Sequence, residues 1–321
     1  MGFNRNIDEN DKGLRPLSPE LQKIATEELN EVPERINDDI QTLREWVNMQ
    51  PHLKSRTSDQ FLVAFLRGCK YSIEKAKQKI DNFYSLRATI PEVYENRNIN
   101  DPKILEIIKT GVVLRLPKPE GYSGPVISII RVAAYDINKY SFPEIIKVGT
   151  MIGDIQFMEE DNCTVSGLVE IMDMTDVTIN HLFHLNPSFL KKCSTYSDEA
   201  MPLRHKGIHF VCTIPQFDGA YNTLKALMGN KDNRKIQIHG NDMESLYKFV
   251  PKEYLPAEYG GTNGTISEII KYWSEKLVDS SDFFIKEQQY GSDENLRTGE
   301  PLNYENLYGC DGSFRMLSNV D

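Results

Sequence analysis

Several things are scarce in this chain of 321 residues, and each shortage removes a class of protein. Long apolar runs are missing: no stretch approaches the ~18 consecutive apolar residues of a membrane-spanning helix. The polar N-terminal stretch MGFNRNIDENDKG lacks the apolar centre of a secretory signal. Met1-Gly2 opens like a myristoylation signal, but position 6 is Asn rather than Ser or Thr, so the motif fails. The sequons at Asn162 and Asn263 carry no weight without export. These absences predict a soluble, cytoplasmic protein. Cysteine is sparse as well: the five, at 69, 163, 193, 212 and 310, are odd in number and form no CxxC pair. That excludes a disulfide frame and a cysteine zinc site and suits reduced thiols. Cations are outnumbered, 37 Lys and Arg against 47 Asp and Glu, for a net charge of -10. Nucleic acid is therefore excluded as the main partner, and any anionic surface has to be met by a local patch.

Catalytic signatures are absent too. No GxGxxG follows a strand, there is no GxxxxGK[ST], and no GxSxG elbow occurs. His181 and His184 stand at i, i+3 but have no third ligand nearby, so no metal is expected. His209 falls in a strand, where a hydrogen-bonded core histidine is expected. Asp173 and Asp176 read as a turn and cap device rather than an acid pair. Nothing assembles a nucleophile, base and oxyanion set, and the chain is read as a non-enzyme without a cofactor. A small-molecule oxidoreductase on an α/β sheet stands as the enzymatic alternative.

What is present is an ordinary globular composition, 40% hydrophobic and 26% charged, patterned in two ways. Residues 1–17 read as a disordered lead. Residues 18–95 read as a helical domain. Ser18-Pro19 is a helix start, Ile36, Ile40, Leu43 and Val47 form one stripe, Ser58-Asp59 opens a short apolar helix to Gly68, and Ser72 opens a fourth. Helices this short have to pack together to be stable. From about residue 110 the period shifts. Val112–Leu116, Val126–Val132, Leu168–Met174, Ile208–Thr213 and Ile236–His239 read as strands, alternating with helices over Phe142–Glu160 and Pro187–Ser197. That alternation predicts α/β architecture with a mostly parallel sheet flanked by helices, over residues 96–265. Residues 266–321 read as one more helix, Ile266–Val278, followed from Gly291 by an irregular tail.

The stretch 203–240 has a feature of its own. Phe217, Ala220, Tyr221, Leu224, Leu227 and Met228 lie on one helical stripe, over 216–228. Cations bracket it: Arg204 and Lys206 on one side, Lys231, Arg234 and Lys235 on the other. Two readings stand. The helix is a movable, membrane-facing lid, or it simply packs on the sheet as most such helices do.

The segments FLRGCKYSIEKA, PEIIKVGTMIGDIQF, GLVEIMDM, NPSFLKKCSTYSDEAMPLRHKGIHF and IQIHGND…LPAEYGGTNG carry a resemblance. Over roughly residues 20 to 280 the chain resembles the CRAL-TRIO family of lipid-transfer proteins, in particular its tocopherol and retinaldehyde carriers. The resemblance implies a helical lobe on a sheet-floored lobe, one small hydrophobic lipid in a closed cavity, and a gate at 216–228. It places the cavity lining on Ile146, Gly149, Gly153, Leu168, Met172, Cys193, Tyr196, Ser197, Leu203 and Ile208. It places a phosphoinositide-binding surface on Arg67, Arg204, Lys206, Lys231 and Lys235, to which the local charge pattern adds Arg234. Gly149 and Gly153 stand where carriers of tocopherol offer small hydroxylated residues, and Cys193, Tyr196 and Ser197 replace bulky aliphatics. The cavity is thus expected to be reshaped and more polar at one end. A tocopherol, retinoid, sterol or phospholipid all stay open as ligand, as does a role in sensing lipid or exchanging phosphatidylinositol rather than ferrying one lipid. A monomer with peripheral membrane association is expected.

Overall fold

The computed structural model describes residues 13–212, 235–300 and 302. It starts with helices whose ends are written in the sequence. Helix α1 (Pro19–Leu29) begins where the Ser18 hydroxyl accepts from the Leu21 amide, and stops at Asn30 in the left-handed conformation. Helix α2 (Ile36–Asn48) buries the stripe Ile36, Ile40, Leu43 and Val47. After the short strand β1 (Leu53–Lys54), helix α3 (Asp59–Gly68) is buried all round from Phe61 to Arg67. Helix α4 (Ile73–Arg87) and the single turn α5 (Pro91–Tyr94) complete the helical lobe. Helix α6 (Pro102–Thr110) is capped by Asp101 and released by Gly111 at φ 64°.

The sheet lobe follows. Strands β2 (Val113–Arg115) and β3 (Val126–Arg131) lead into the long helix α7 (Phe142–Glu159), whose start is fixed by the Glu144 carboxylate accepting from the Ser141 amide. Next come α8 (Asn162–Val165), β4 (Leu168–Asp173), α9 (Ile179–His184), α10 (Pro187–Glu199) and β5 (His205–Val211). Beyond the undescribed stretch lie β6 (Ile236–Gly240), α11 (Met243–Leu246), α12 (Ile266–Asp279), α13 (Ser281–Glu287) and β7 (Gly291–Ser292). The five-stranded sheet runs β2-β3-β4-β5-β6, with β2 antiparallel and the others parallel. The expected mostly parallel, helix-flanked sheet is the observed one.

Alternation divides the sheet into two faces. The outer face carries Leu114, Ile127, Ile129, Val169, Ile171 and Val211, which pack with Ile107 of α6 and Trp273 of α12. The Trp273 indole also donates to the Arg115 carbonyl at 2.6 Å. His209 lies on this face, buried and 2.9 Å from the His239 ring nitrogen, the core role expected for it. Asp173 acts as the expected turn device, accepting from the Thr175 amide, and also accepts from the Tyr259 hydroxyl.

The helical lobe is joined to the sheet lobe by grease and by charge. Phe157 of α7 inserts beside Phe61 and Phe65, with ring centroids 6.4 and 6.2 Å away. Around this junction lie buried ion pairs. Arg67 reaches Glu31 at 2.8 Å and Asp161 at 3.1 Å. Asp154 on α7 receives Arg87 at 2.9 Å and Arg97 at 2.7 Å, while Glu287 of α13 holds Arg56 at 2.6 Å and Arg87 at 3.2 Å. Burial works against the charge on Asp154, but the two guanidinium groups outweigh it and hold its carboxyl below the usual range.

Two sequence expectations are corrected here. The lead 1–17 is anchored at its described end, because Arg15 lies 2.6 Å from Asp161 and Leu14 packs on the core. The tail from Gly291 is ordered through residue 297: β7 pairs antiparallel with β1, and Arg297 bonds Asp81 at 2.7 Å. In both places a few polar residues find charged or backbone partners on distant elements, which composition does not register.

Asp154→Ala leaves Arg97 without its carboxylate and Arg87 with Glu287 alone, and we expect a loss of about 3 kcal/mol of unfolding free energy in urea titrations. A second expectation concerns acid. Burial, then the charge of His239, lowers the His209 pKa from 6.5 to about 4. The unfolded chain thus binds the proton first, so His209 weakens the fold as pH falls from 6.5 toward 4 and has no effect above that window. His209→Gln should flatten that part of the stability–pH curve, measured against wild type.

Candidate functional site: the inner face of the sheet

The second face of the sheet is turned toward α7, α10 and the helical lobe. Register places Val113 and Arg115 of β2, Ser128 and Ile130 of β3, Glu170 and Met172 of β4, and Ile208 and Phe210 of β5 on this one side. Helix α7 approaches it with glycine: a Cβ built on Gly149 would stand 3.3 Å from Val113, and one on Gly153 would stand 3.7 Å from the Arg115 guanidinium. Gly149 and Gly153 therefore let α7 approach β2 closely at this end of the face.

The expected cavity residues fall into two groups on it. Leu168 and Tyr196 are buried with the helical lobe's core, and Ile146, Cys193 and Leu203 pack against that core partly buried. Ile208 is buried with Phe210, Met174 and Val177, and Met172 and Ile236 pack half-buried on that cluster. Ser197 lies 3.1 Å from the His205 ring. The Tyr196 hydroxyl accepts from Arg87 Nε at 2.7 Å, so its polar end serves the junction between the lobes. Burial pushes the Cys193 thiol up to about 12, which leaves it an inert apolar side chain.

A row of polar side chains crosses between these groups, and the sequence alone does not single it out. Arg115 is register partner to Ser128, and Ser128 to Glu170. Glu170 sits 3.7 Å from the His205 ring nitrogen Nδ1. Burial lowers the Arg115 pKa, with Glu170 opposing that shift. The signal available in the sequence was a polar or charged residue at an inward position of a strand, as with Glu170 between Leu168 and Met172.

The expected basic surface is only partly assembled. Arg67 is corrected: it is 2% exposed and spent on Glu31 and Asp161, so it faces no membrane. Arg204 and Lys206 stand at the start of β5 and Lys235 at the start of the parallel β6, so these three do share one sheet edge. Glu28 pairs with Arg204 at 2.7 Å and with Lys206 at 3.7 Å, while Lys235 donates to the His205 carbonyl. Lys231, Arg234 and the stripe Phe217, Ala220, Tyr221, Leu224, Leu227 and Met228 lie outside the described residues. Among the described residues no group of three His, Cys, Asp or Glu is placed to hold a metal ion, and no helix is long and apolar enough to cross a membrane.

A helical lobe closing over one face of a mostly parallel sheet defines a class, and comparison with known proteins names it. The CRAL/TRIO domain model matches residues 116–261, and the Pinta-like UBA domain model matches residues 32–104. The comparison thus identifies a CRAL/TRIO domain over residues 116–261 of this chain. It is 29% identical over 309 residues to the mouse (Mus musculus) alpha-tocopherol transfer protein-like protein, covering 94% of this chain and 88% of that one. It is also 29% identical over 246 residues to human (Homo sapiens) clavesin-2, covering 76% of this chain and 75% of that one. The crystal structure of Sfh5 superposes with a TM-score of 0.45 and 11% identity, over 83% of this chain and 99% of that one.

The two glycines of α7 differ in what they tolerate. Gly153→Ala meets only ordinary van der Waals contact, so the helix gain of up to about 1 kcal/mol should appear as added stability. Gly149→Ala has to displace Val113 and should gain less or lose. Paired urea titrations of the two variants check this.

Proposed function

We propose that this protein carries one small hydrophobic lipid on the inner face of its sheet and exchanges it at phosphoinositide-containing membranes. The observation that carries the reading is an inward sheet face with apolar side chains that are only half-buried, Ile130, Met172 and Ile236 among them. The match of residues 116–261 to the CRAL/TRIO domain and similarity to a protein named for tocopherol transfer support it. A tocopherol- or retinoid-like molecule suits this space, and no covalent step is required of any residue. The site is the set Ile146, Gly149, Gly153, Leu168, Met172 and Ile208, with Cys193, Ser197 and Leu203 along one wall.

Physics dictates how such a cargo leaves. A lipid with about 20 buried carbons, at roughly 0.8 kcal/mol per methylene, costs on the order of 16 kcal/mol to expose to water. Ordering terms reduce the net affinity, yet escape through water stays slow and direct contact with a bilayer is the practical route. The stripe over 216–228 serves as the gate that exchanges pocket for membrane interface, a role that rests on its sequence. Lys206 and Lys235, with Lys231 and Arg234, supply attraction to an anionic leaflet of about 1 kcal/mol per cation, against an overall charge of -10. Such a protein works in the cytoplasm as a monomer that visits membranes.

The test is titration of delipidated protein with tocopherol, retinoids, sterols and phosphatidylinositol, followed by native mass spectrometry. Saturation near one molecule per chain by at least one class is expected, and failure with all of them refutes the carrier reading. A second measurement addresses the membrane. Lys206→Glu with Lys235→Glu should lower binding to vesicles containing phosphatidylinositol bisphosphate by about 10-fold or more at physiological salt, leaving lipid affinity in solution intact. Vesicle binding equal to wild type would remove this edge from the membrane-facing surface.

A further inference from the structure

The polar row on the inner face is out of place in an apolar bowl, and its hydrogen bonds are incomplete. Ser128 is 0% exposed and its hydroxyl has no partner, protein or otherwise, among the described residues. Arg115 beside it has a buried Nε without a partner and no carboxylate within ion-pair distance among the described residues. The one acid in the row, Glu170, is turned to His205, whose other ring nitrogen meets Ser197. Glu160, just past the end of α7, also acts on Arg115, but more weakly than Glu170, and burial raises its own pKa to about 7.

Both unmet groups can donate, and one of them bears a positive charge. A buried donor left without an acceptor is costly, and the positive charge of the half-buried Arg115 adds to that cost. The missing complement is thus a negatively charged acceptor with more than one oxygen. A carboxylate matches a guanidinium fork with two parallel bonds. Immediately beside the row the face is apolar again, with Val113, Ile130 and Met172 flanking Arg115, Ser128 and Glu170.

We propose that the cargo is a single-chain lipid acid, its carboxylate seated on Arg115 and Ser128 and its hydrocarbon chain laid along the apolar part of the inner face. This rests on the carrier reading above and specifies the head group. Glu170 and His205 bound the head group's seat on the far side and disfavour a second anion there.

The experiment is equilibrium binding of tritiated oleate and tritiated oleyl alcohol to the delipidated full-length protein, two ligands that share a chain and differ at the head. Wild type should bind oleate about 10-fold or more tightly than the alcohol. Arg115→Met should abolish that preference by weakening oleate, with the alcohol within about 2-fold of wild type. Ser128→Ala removes one hydroxyl and creates little disturbance. It should weaken oleate and spare the alcohol, and it carries the test if the Arg115 variant fails to fold. Equal affinities in wild type, a preference for the alcohol, or an acid preference that survives both variants overturns the proposal while the carrier reading stands. Binding of phosphatidylinositol in preference to oleate overturns it as well. Failure of oleate, alcohol, tocopherol, retinoid, sterol and phospholipid alike overturns the carrier reading together with it.

Discussion

Guanidinium groups buried between the lobes are paired with carboxylates, and these pairs fix how the two lobes meet. Arg67, Arg87 and Arg97 leave the helical side and the segment after it, and the acids that receive them belong to α7, to the segment after it and to α13. Each pair alone adds little net stability, because desolvation offsets most of the attraction. What the set provides is geometry. Sliding one lobe against the other would separate several charges at once in a low-dielectric setting. The aromatic contact of Phe157 with Phe61 and Phe65 supplies the burial that such charges do not.

Fixing α7 in this way has consequences on its other side. The helix turns Ile145, Val148, Ile152 and Ile155 into the core, spends Asp154 on the lobe junction, and presents Gly149 and Gly153 to β2. One helix thereby serves three surfaces, each with its own residue type. The surface toward β2 is made of residues without side chains, which lets the helix lie close to that strand while the other two surfaces hold it in place.

The elements were largely legible from sequence because each is announced locally. Ser18-Pro19 caps a helix wherever it occurs, and an apolar run such as Val126–Ile130 reads as a buried strand without knowledge of its neighbours. The site was legible only in part. Met172 and Ile208 follow from the resemblance and do come together, whereas Arg115, Ser128 and Glu170 are brought side by side only by strand register. Arg67 shows the opposite error: the resemblance assigned it to the basic surface, but its partners Glu31 and Asp161 lie far off in the chain. The ordered stretch from Gly291 to Arg297 was missed because its stability resides in contacts with β1 and Asp81 rather than in its own composition.

That last stretch imposes an order of events on the ribosome. Glu287 meets Arg56 across 231 residues of sequence, and Arg297 meets Asp81 across 216. The helical lobe is translated before its partners, so Arg56 has to wait for 231 further residues before its counter-charge arrives. At synthesis rates of about 5–20 residues per second that delay is on the order of ten seconds or more. Through that interval the nascent lobe holds a guanidinium group that only water can satisfy, so its final packing is a late step. Contacts of such long sequence separation are also the ones whose loop-closure entropy has to be met last. The stretch that adds least to the core is therefore the one that completes it.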